Sequence, residues 1–430
     1  MSLRGARTFV GLGFGAIQAG LFLYEAWASG AFGRLVVAEI RPELVAAVRE
    51  AGGYYHLNIA HAHGIEQVQV GPVEIYNPQL PAHREALVEA IAGAEELATA
   101  LPGVAYYAGA GPASPHRLLA LGLRRKARQG GPRAVIYAAE NHPQGAASLL
   151  EARVRSAVLP LEQAALCRPV RFVDTVIGKM CGVTGDLAGL APVTPNSPQA
   201  FLVEAFNRIY ISPVDFGDGQ PFVRGLAAFE EQANLIPYQE AKLYGHNAVH
   251  ALAAYLGAAC GLTRMAELRE RPGMVPFLRA ALLHESGPAL RARHGPVPGL
   301  LAPDDWAAAT EDLLERILNP HLRDSVARVA RDPARKLGWD DRLIGTMRRA
   351  LAAGIMPRRY ALGAAAALAL WAPGAAAATA LSTLWGDVAP ADQVRPILDL
   401  IGEGQQQLAR WRAQGFSDLE TMFQIEEANG

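Results

Sequence analysis

Along the first half of the chain, short β-branched apolar runs alternate with stretches whose apolar residues recur every three or four positions. A run that feeds an amphipathic helix and then another run implies βαβ units around a parallel sheet. The pattern predicts strands at 8–12, 35–39, 97–100, 134–138 and 171–175, with helices at 17–28, 42–51, 84–92 and 116–128 between them. Segments 68–70 and 73–76 read as extra strands divided by the turn-forming Gly71-Pro72 pair. A loop rich in Gly, Pro and Ala is expected from 185 to 198, and a return to strand from 202 to 211. From about Tyr238 the period turns helical almost throughout, most clearly at 251–259, 275–284, 304–317 and 341–353. The expected class is α/β, with a mostly parallel sheet domain over 1–225 and an all-helical domain over 226–430, and no fixed-period repeat.

Two apolar segments invite other readings. Residues 9–24 follow Arg4 and Arg7 as an export signal would, but four glycines and Gln18 interrupt them, so they read as strand, turn and helix. Residues 361–381 are long enough to span a bilayer, yet they are dominated by alanine and broken at Pro373 and Gly374, which favours two buried helices joined by a turn. With 40 Lys plus Arg against 41 Asp plus Glu, no global field attracts nucleic acid or an acidic membrane. An anionic substrate would need local cations. Cys167, Cys181 and Cys260 fit neither a disulfide framework nor a metal knuckle, which points to a reducing, cytoplasmic home.

The sequence VGLGFGAIQAGLF places Gly11, Gly13, Gly15 and Gly20 where a strand ends and a helix begins. Backbone free of side chains lets a dinucleotide pyrophosphate approach amides at a helix N-terminus, so a Rossmann-type domain binding NAD is expected. Gly13, Gly15, Ala16 and Ile17 would form the turn, and Thr99 would lie at the end of a neighbouring strand. Gln18 stands where the fingerprint has its third glycine. Glu39 closes the second strand, at the distance where a carboxylate accepts hydrogen bonds from the adenosine ribose; it would repel a 2′-phosphate, while Arg41 nearby leaves room for NADP.

The run KLYGHNAVH, Lys242 to His250, carries the candidate chemistry. On an ideal α-helix His246 lies about 40° and His250 about 80° round from Lys242, with Asn247 at the margin at about 140°. A lysine of depressed pKa can take a proton from an alcohol while amide and imidazole groups hold the oxygen that becomes a carbonyl. A solvated lysine beside a core histidine is the plain alternative. Zinc is a further one, but the pair His246 and His250 lacks the glutamate of HExxH and a third ligand nearby.

The spacing of Lys242, Asn247 and His250 resembles the signature of the polyol-specific long-chain dehydrogenases, the mannitol dehydrogenase family, which works without zinc. GFGAIQAGLF resembles that family's cofactor turn, AEN (139–141) its segment at the sheet edge, and FVDTVIGKM (172–180) its FVDSxVDRI segment. NPHLRDSVARVARDPARKLGWDDRLIG, residues 319–345, is similar to a block typical of the mannitol-1-phosphate branch. The resemblance implies Lys242 as general acid and base, Asn247 on the reacting oxygen, His250 orienting the substrate, Asp174 as a catalytic-site residue where the mannitol-phosphate branch has aspartate and the free-mannitol branch asparagine, and Asn141 beside nicotinamide or substrate. Its implied site is a cleft between the domains and its implied pair mannitol 1-phosphate and fructose 6-phosphate, with a free polyol or hexuronate dehydrogenase as the alternative. A non-catalytic NAD sensor is a third reading, prompted by Gly178 and Lys179 where the family has aspartate and arginine; His142 and Pro143 after AEN also depart from it. Arg331, Arg335 and Lys336 are candidate phosphate partners, since an arginine fork pairs bidentately with phosphate. Glu240 could pass the proton to solvent or stand as a surface carboxylate. The partners expected are a small polyol or sugar phosphate, with no nucleic acid, membrane or metal, and a monomer or small homo-oligomer.

Overall fold

The structure, a computed structural model, describes residues 7–142 and 145–429. Arg4 and Pro143 lie outside them. Two compact units divide the chain, Met1–Leu235 and Ile236–Gly430.

The first unit is built on strands β1 (Arg7–Leu12), β2 (Phe32–Ala38), β3 (Tyr55–His61), β4 (Gly64–Val70), β5 (Glu74–Tyr76), β6 (Glu96–Thr99), β7 (Ala134–Ala138), β8 (Val170–Ile177), β9 (Cys181–Thr184), β10 (Ala200–Glu204), β11 (Ile209–Ile211) and β12 (Phe229–Glu231). Eight form a sheet in the order β12-β11-β8-β7-β6-β1-β2-β5, parallel except where β11 meets β8. Helices cover both faces, so its strands alternate between two cores. Val135 and Tyr137 of β7 face one, while Ala134, Ile136 and Ala138 face the other. After β1 the chain builds outward through β2, then returns to place β6 on β1's other side. That reversal opens a crevice at the C-terminal ends of β1 and β6, where ligands bind in such sheets.

The expected Rossmann-type α/β class is the observed one, with corrections in detail. Strand β3 went unpredicted because Asn58 interrupts its apolar pattern. Asn58 is buried and satisfied by the loop after β9 and by β10, donating to Ala191 O (2.8 Å) and Phe201 O (3.0 Å). It belongs to a second sheet, β4-β3-β10-β9. The single strand expected over 202–211 is two, because the chain leaves that sheet after Glu204 and enters the large one at Ile209. Helices Ala146–Ser156 and Pro160–Cys167 were also unforeseen.

The second unit is helical as expected. Residues 361–381 fall into helix Arg358–Trp371, buried through most of its length, and helix Ala377–Trp385, which buries only Ala377, Leu381 and Trp385. Among the described residues no helix is long and apolar enough to cross a membrane. The three cysteines are free thiols.

Candidate active site

In the first unit the glycine turn has the geometry a dinucleotide requires. Gly13 has φ +89°, and a Cβ there would lie 2.7 Å from Ala100 O, so only glycine fits. A Cβ on Gly15 would meet nothing within 4 Å, which leaves open space over the turn for phosphate oxygens. The helix after the turn opens at Ala16 and widens at Gln18 into a π-helical segment, Gln18–Leu23. Gln18 is fully buried with both amide atoms unpartnered. Glu39 is buried at the end of β2 and grips this turn, accepting from Phe14 N at 3.1 Å. Burial would raise its carboxyl pKa, but hydrogen bonds from Arg41 and Phe14 outweigh that and hold it below the usual range. The open backbone of the turn fits a dinucleotide pyrophosphate, with Glu39 beside it at the end of β2.

Thr99, at the end of β6, is fully buried and gives its hydroxyl to Glu140 Oε2 at 2.8 Å. Glu140 also accepts from Leu101 N at 2.7 Å and from the Tyr107 hydroxyl. This braced carboxylate, which the sequence reading passed over inside AEN, fixes the backbone that presents the exposed Asn141. Asp174 Oδ1 accepts from Ala147 N at 2.9 Å, closing the start of helix Ala146–Ser156. Its other oxygen lies 2.9 Å from where a Cβ on Gly145 would stand. Lys179 is buried, with its ammonium 5.8 Å over the Tyr24 ring.

In the second unit Lys242 lies on a π-helical segment, Ala241–His246, that runs into helix Asn247–Ala259. Asn247 N–H bonds Lys242 O, five residues back rather than four. The wider turn brings Asn247 round over Lys242, closer to its face than an α-helix allows. Two glycines permit the packing around it. A Cβ on Gly245 would stand 2.6 Å from Trp306 Cη2, and one on Gly345 2.5 Å from Tyr244 Cε1. Helix Arg342–Ala352 therefore sits directly on the lysine turn, with Thr346 Oγ1 donating to Tyr244 O at 3.2 Å. Burial, and secondarily the Arg342 guanidinium, lower the Lys242 pKa to about 8. Burial also drives His246 well below the ordinary histidine value, helped by Arg316, His250 and Lys242, so its imidazole is neutral at pH 7.

His250 Nε2 lies 3.2 Å from Asp324 Oδ2, set off the ideal hydrogen-bond line. Arg328 grips the same carboxylate with two bonds of 2.7 Å. Burial would raise the Asp324 pKa, yet His250 and Arg328 hold it below its usual value. Neither Asp324 nor Arg328 was foreseen; their i,i+4 spacing was visible, but in sequence it reads as an ordinary helix-surface pair.

Glu240 is not a loose surface carboxylate. It binds His294 at 2.7 Å, Arg293 at 2.9 Å and Arg349 at 3.0 Å. Of the expected phosphate partners, Arg331 and Arg335 keep 72% and 54% of their side chains exposed and face Asp332 and Asp341. Lys336 is buried, donating to Val329 O at 2.7 Å and to Arg331 O. Burial, then Arg342, lower its pKa to about 8.

A doubly wound sheet with this turn, followed by a helical unit that buries a lysine of lowered pKa, fits the class of dinucleotide-dependent dehydrogenases. The profile of the mannitol dehydrogenase C-terminal domain matches residues 234–384. Mannitol-1-phosphate 5-dehydrogenase of Bacillus pumilus is 32% identical over 304 residues, 70% of this chain and 72% of that protein. The enzyme of the same name from Exiguobacterium sibiricum is 29% identical over 350 residues, 80% and 81% of the two chains. In fold the chain is similar to Pseudomonas fluorescens mannitol 2-dehydrogenase, solved with NAD and D-mannitol, with TM-score 0.67, 17% identity, and coverage of 94% and 92%. The chain belongs to the mannitol dehydrogenase family, whose members are NAD-dependent polyol dehydrogenases.

Proposed function

We propose that this chain interconverts a polyol phosphate and a ketose phosphate, most simply mannitol 1-phosphate and fructose 6-phosphate, with Lys242 rather than a metal managing the proton. NAD, when bound, supplies the hydride acceptor. The neutral Lys242 amine takes the hydroxyl proton as the carbinol C–H bond breaks; in the reverse direction its ammonium returns that proton. Asn247, stacked over Lys242 by the π-turn, donates to the oxygen as it gains carbonyl character. His250, backed by Asp324, orients a neighbouring hydroxyl. The observation that carries the reading is the lysine turn itself, where burial and Arg342 bring an amine into the pH range of a working acid and base.

A second reading, a dehydrogenase of free polyols or hexuronates, is favoured by the placement of the cations, since Arg331 and Arg335 are engaged with acids and Lys336 with carbonyls. Steady-state rates with mannitol 1-phosphate, mannitol, arabinitol, altronate and mannonate separate the two. The first reading expects kcat/KM for the phosphate ester to exceed that for mannitol by about a hundredfold or more, the worth of one good charged contact. Equal rates with and without the phosphate would overturn it.

A further inference from the structure

The carboxylate expected to receive the adenosine ribose is already saturated from within the chain. Glu39 Oε1 accepts from Arg41 N at 2.9 Å and Arg41 Nε at 3.0 Å, while Oε2 accepts from Phe14 N at 3.1 Å and an Arg41 terminal nitrogen at 3.1 Å. A carboxylate offers about four lone-pair sites, so none is left for a ribose diol. The same Arg41 nitrogen also donates to Phe14 O at 3.2 Å, tying the guanidinium to the glycine turn. The Arg41 side chain is 49% exposed against 5% for Glu39, so it is the arginine that has room to move.

From this geometry we infer that Arg41 is an intrachain competitor for the ribose site: it must release Glu39 when NAD binds, and it is placed to receive a 2′-phosphate when NADP binds. For NAD the ribose hydroxyls replace Arg41 on the carboxylate, and the broken ion pair counts against affinity. For NADP the negative phosphate takes the guanidinium that Glu39 gives up, so an acid that would otherwise reject the phosphate is offset by its own partner. The protein therefore binds both nucleotides, with a preference for NAD much weaker than an unshielded acid would impose.

The inference rests on the glycine turn being the dinucleotide site, and binding rather than turnover tests it. NADH and NADPH are titrated into wild-type protein, R41A, R41K and E39Q, following nucleotide fluorescence, with thermal melts to verify folding. Wild type should bind both. R41A should bind NADH more tightly and lose about tenfold or more in NADPH affinity, the scale of one charge-assisted contact. R41K, which keeps the charge but not the fork, should fall between, and E39Q should shift the ratio towards NADPH. If folded R41A keeps the wild-type NADPH to NADH ratio, or wild type saturates with NADH yet shows no NADPH binding at about 1 mM, the role given to Arg41 is wrong while the dinucleotide site stands. Protein that binds neither nucleotide overturns both.

Discussion

The glycine turn and the lysine turn solve opposite electrostatic problems. At the turn after β1, charge is cancelled locally, because Glu39 meets an arginine two residues away and an amide from the turn it supports. Around Lys242, positive charge accumulates instead, with Arg342 and Arg316 acting on the same short helical segment. Cancelled charge leaves a binding surface whose affinity comes from shape and hydrogen bonds. Burial first, and gathered like charge second, leave an ammonium poorly stabilised and more ready to lose its proton. The first arrangement suits holding a cofactor, the second moving a proton.

The sharpest way to break this contrast is Lys242→Ala. If the lysine turn moves the proton, kcat falls on the order of a thousandfold, while NADH affinity, set in the other unit, changes little. Equal losses in both would mean the two regions are not specialised as argued. The pH profile sharpens the point. Lys242 must be neutral to accept a proton, so alcohol oxidation should climb as pH rises towards about 8 and level off above it. Ketone reduction needs the ammonium and should decline above the same point. Arg342→Gln removes a like charge, lets the lysine hold its proton to higher pH, and should move both midpoints upward. Because burial is the larger cause, the shift should be partial.

A smaller effect is expected at Asp324. Asn at this position keeps the shape but trades one acceptor for a donor, setting an N–H against either the Arg328 fork or His250 Nε2. With a charged hydrogen bond worth about 1.5–3 kcal/mol, kcat should fall roughly tenfold to a hundredfold. KM for NAD should hold. Asp324→Glu should recover part of the loss, and adding Asp324→Asn to His250→Ala should cost little further if the acid acts through the histidine. Additive losses would separate Asp324 from His250.

What could be read from sequence follows the range of the interactions. Strand 134–138 and the turn at Gly13 were legible because a continuous apolar run and close backbone approach are local requirements written in consecutive residues. Glu39 was legible because it stands at a fixed distance from that turn. The lysine turn was only half legible. Its residue types stood in sequence, but the extra residue per turn that carries Asn247 over Lys242 is visible only in the backbone. Arg342, a hundred residues away, acts on the lysine from a helix whose close contact with the lysine turn Gly345 allows. Strand β3 was hidden by Asn58, a polar residue buried where its partners come from another segment. Arg331, Arg335 and Lys336 form a cluster in sequence, yet two face solvent and one turns inward to carbonyl oxygens.

The smallest expected effect tests whether the sheet edge belongs with the quiet, locally balanced region. Tyr107→Phe removes one donor from Glu140, whose carboxylate keeps Thr99 Oγ1 and Leu101 N. The lost bond joins a phenol to a buried acid, and burial first, then Glu140, raise the Tyr107 pKa, so the hydroxyl keeps its proton and serves as donor throughout the working range. Because two donors remain, the variant should lose only about 1.5 kcal/mol of stability, the low end for a bond to a charged group. The pH midpoint of oxidation, set in the other unit by Lys242, should stay where it is. Urea unfolding reads the stability, and the pH profile reads the rest. A shifted midpoint would mean that Glu140 acts on the proton-transfer step, and the division between a holding region and a proton-moving region would have to be redrawn.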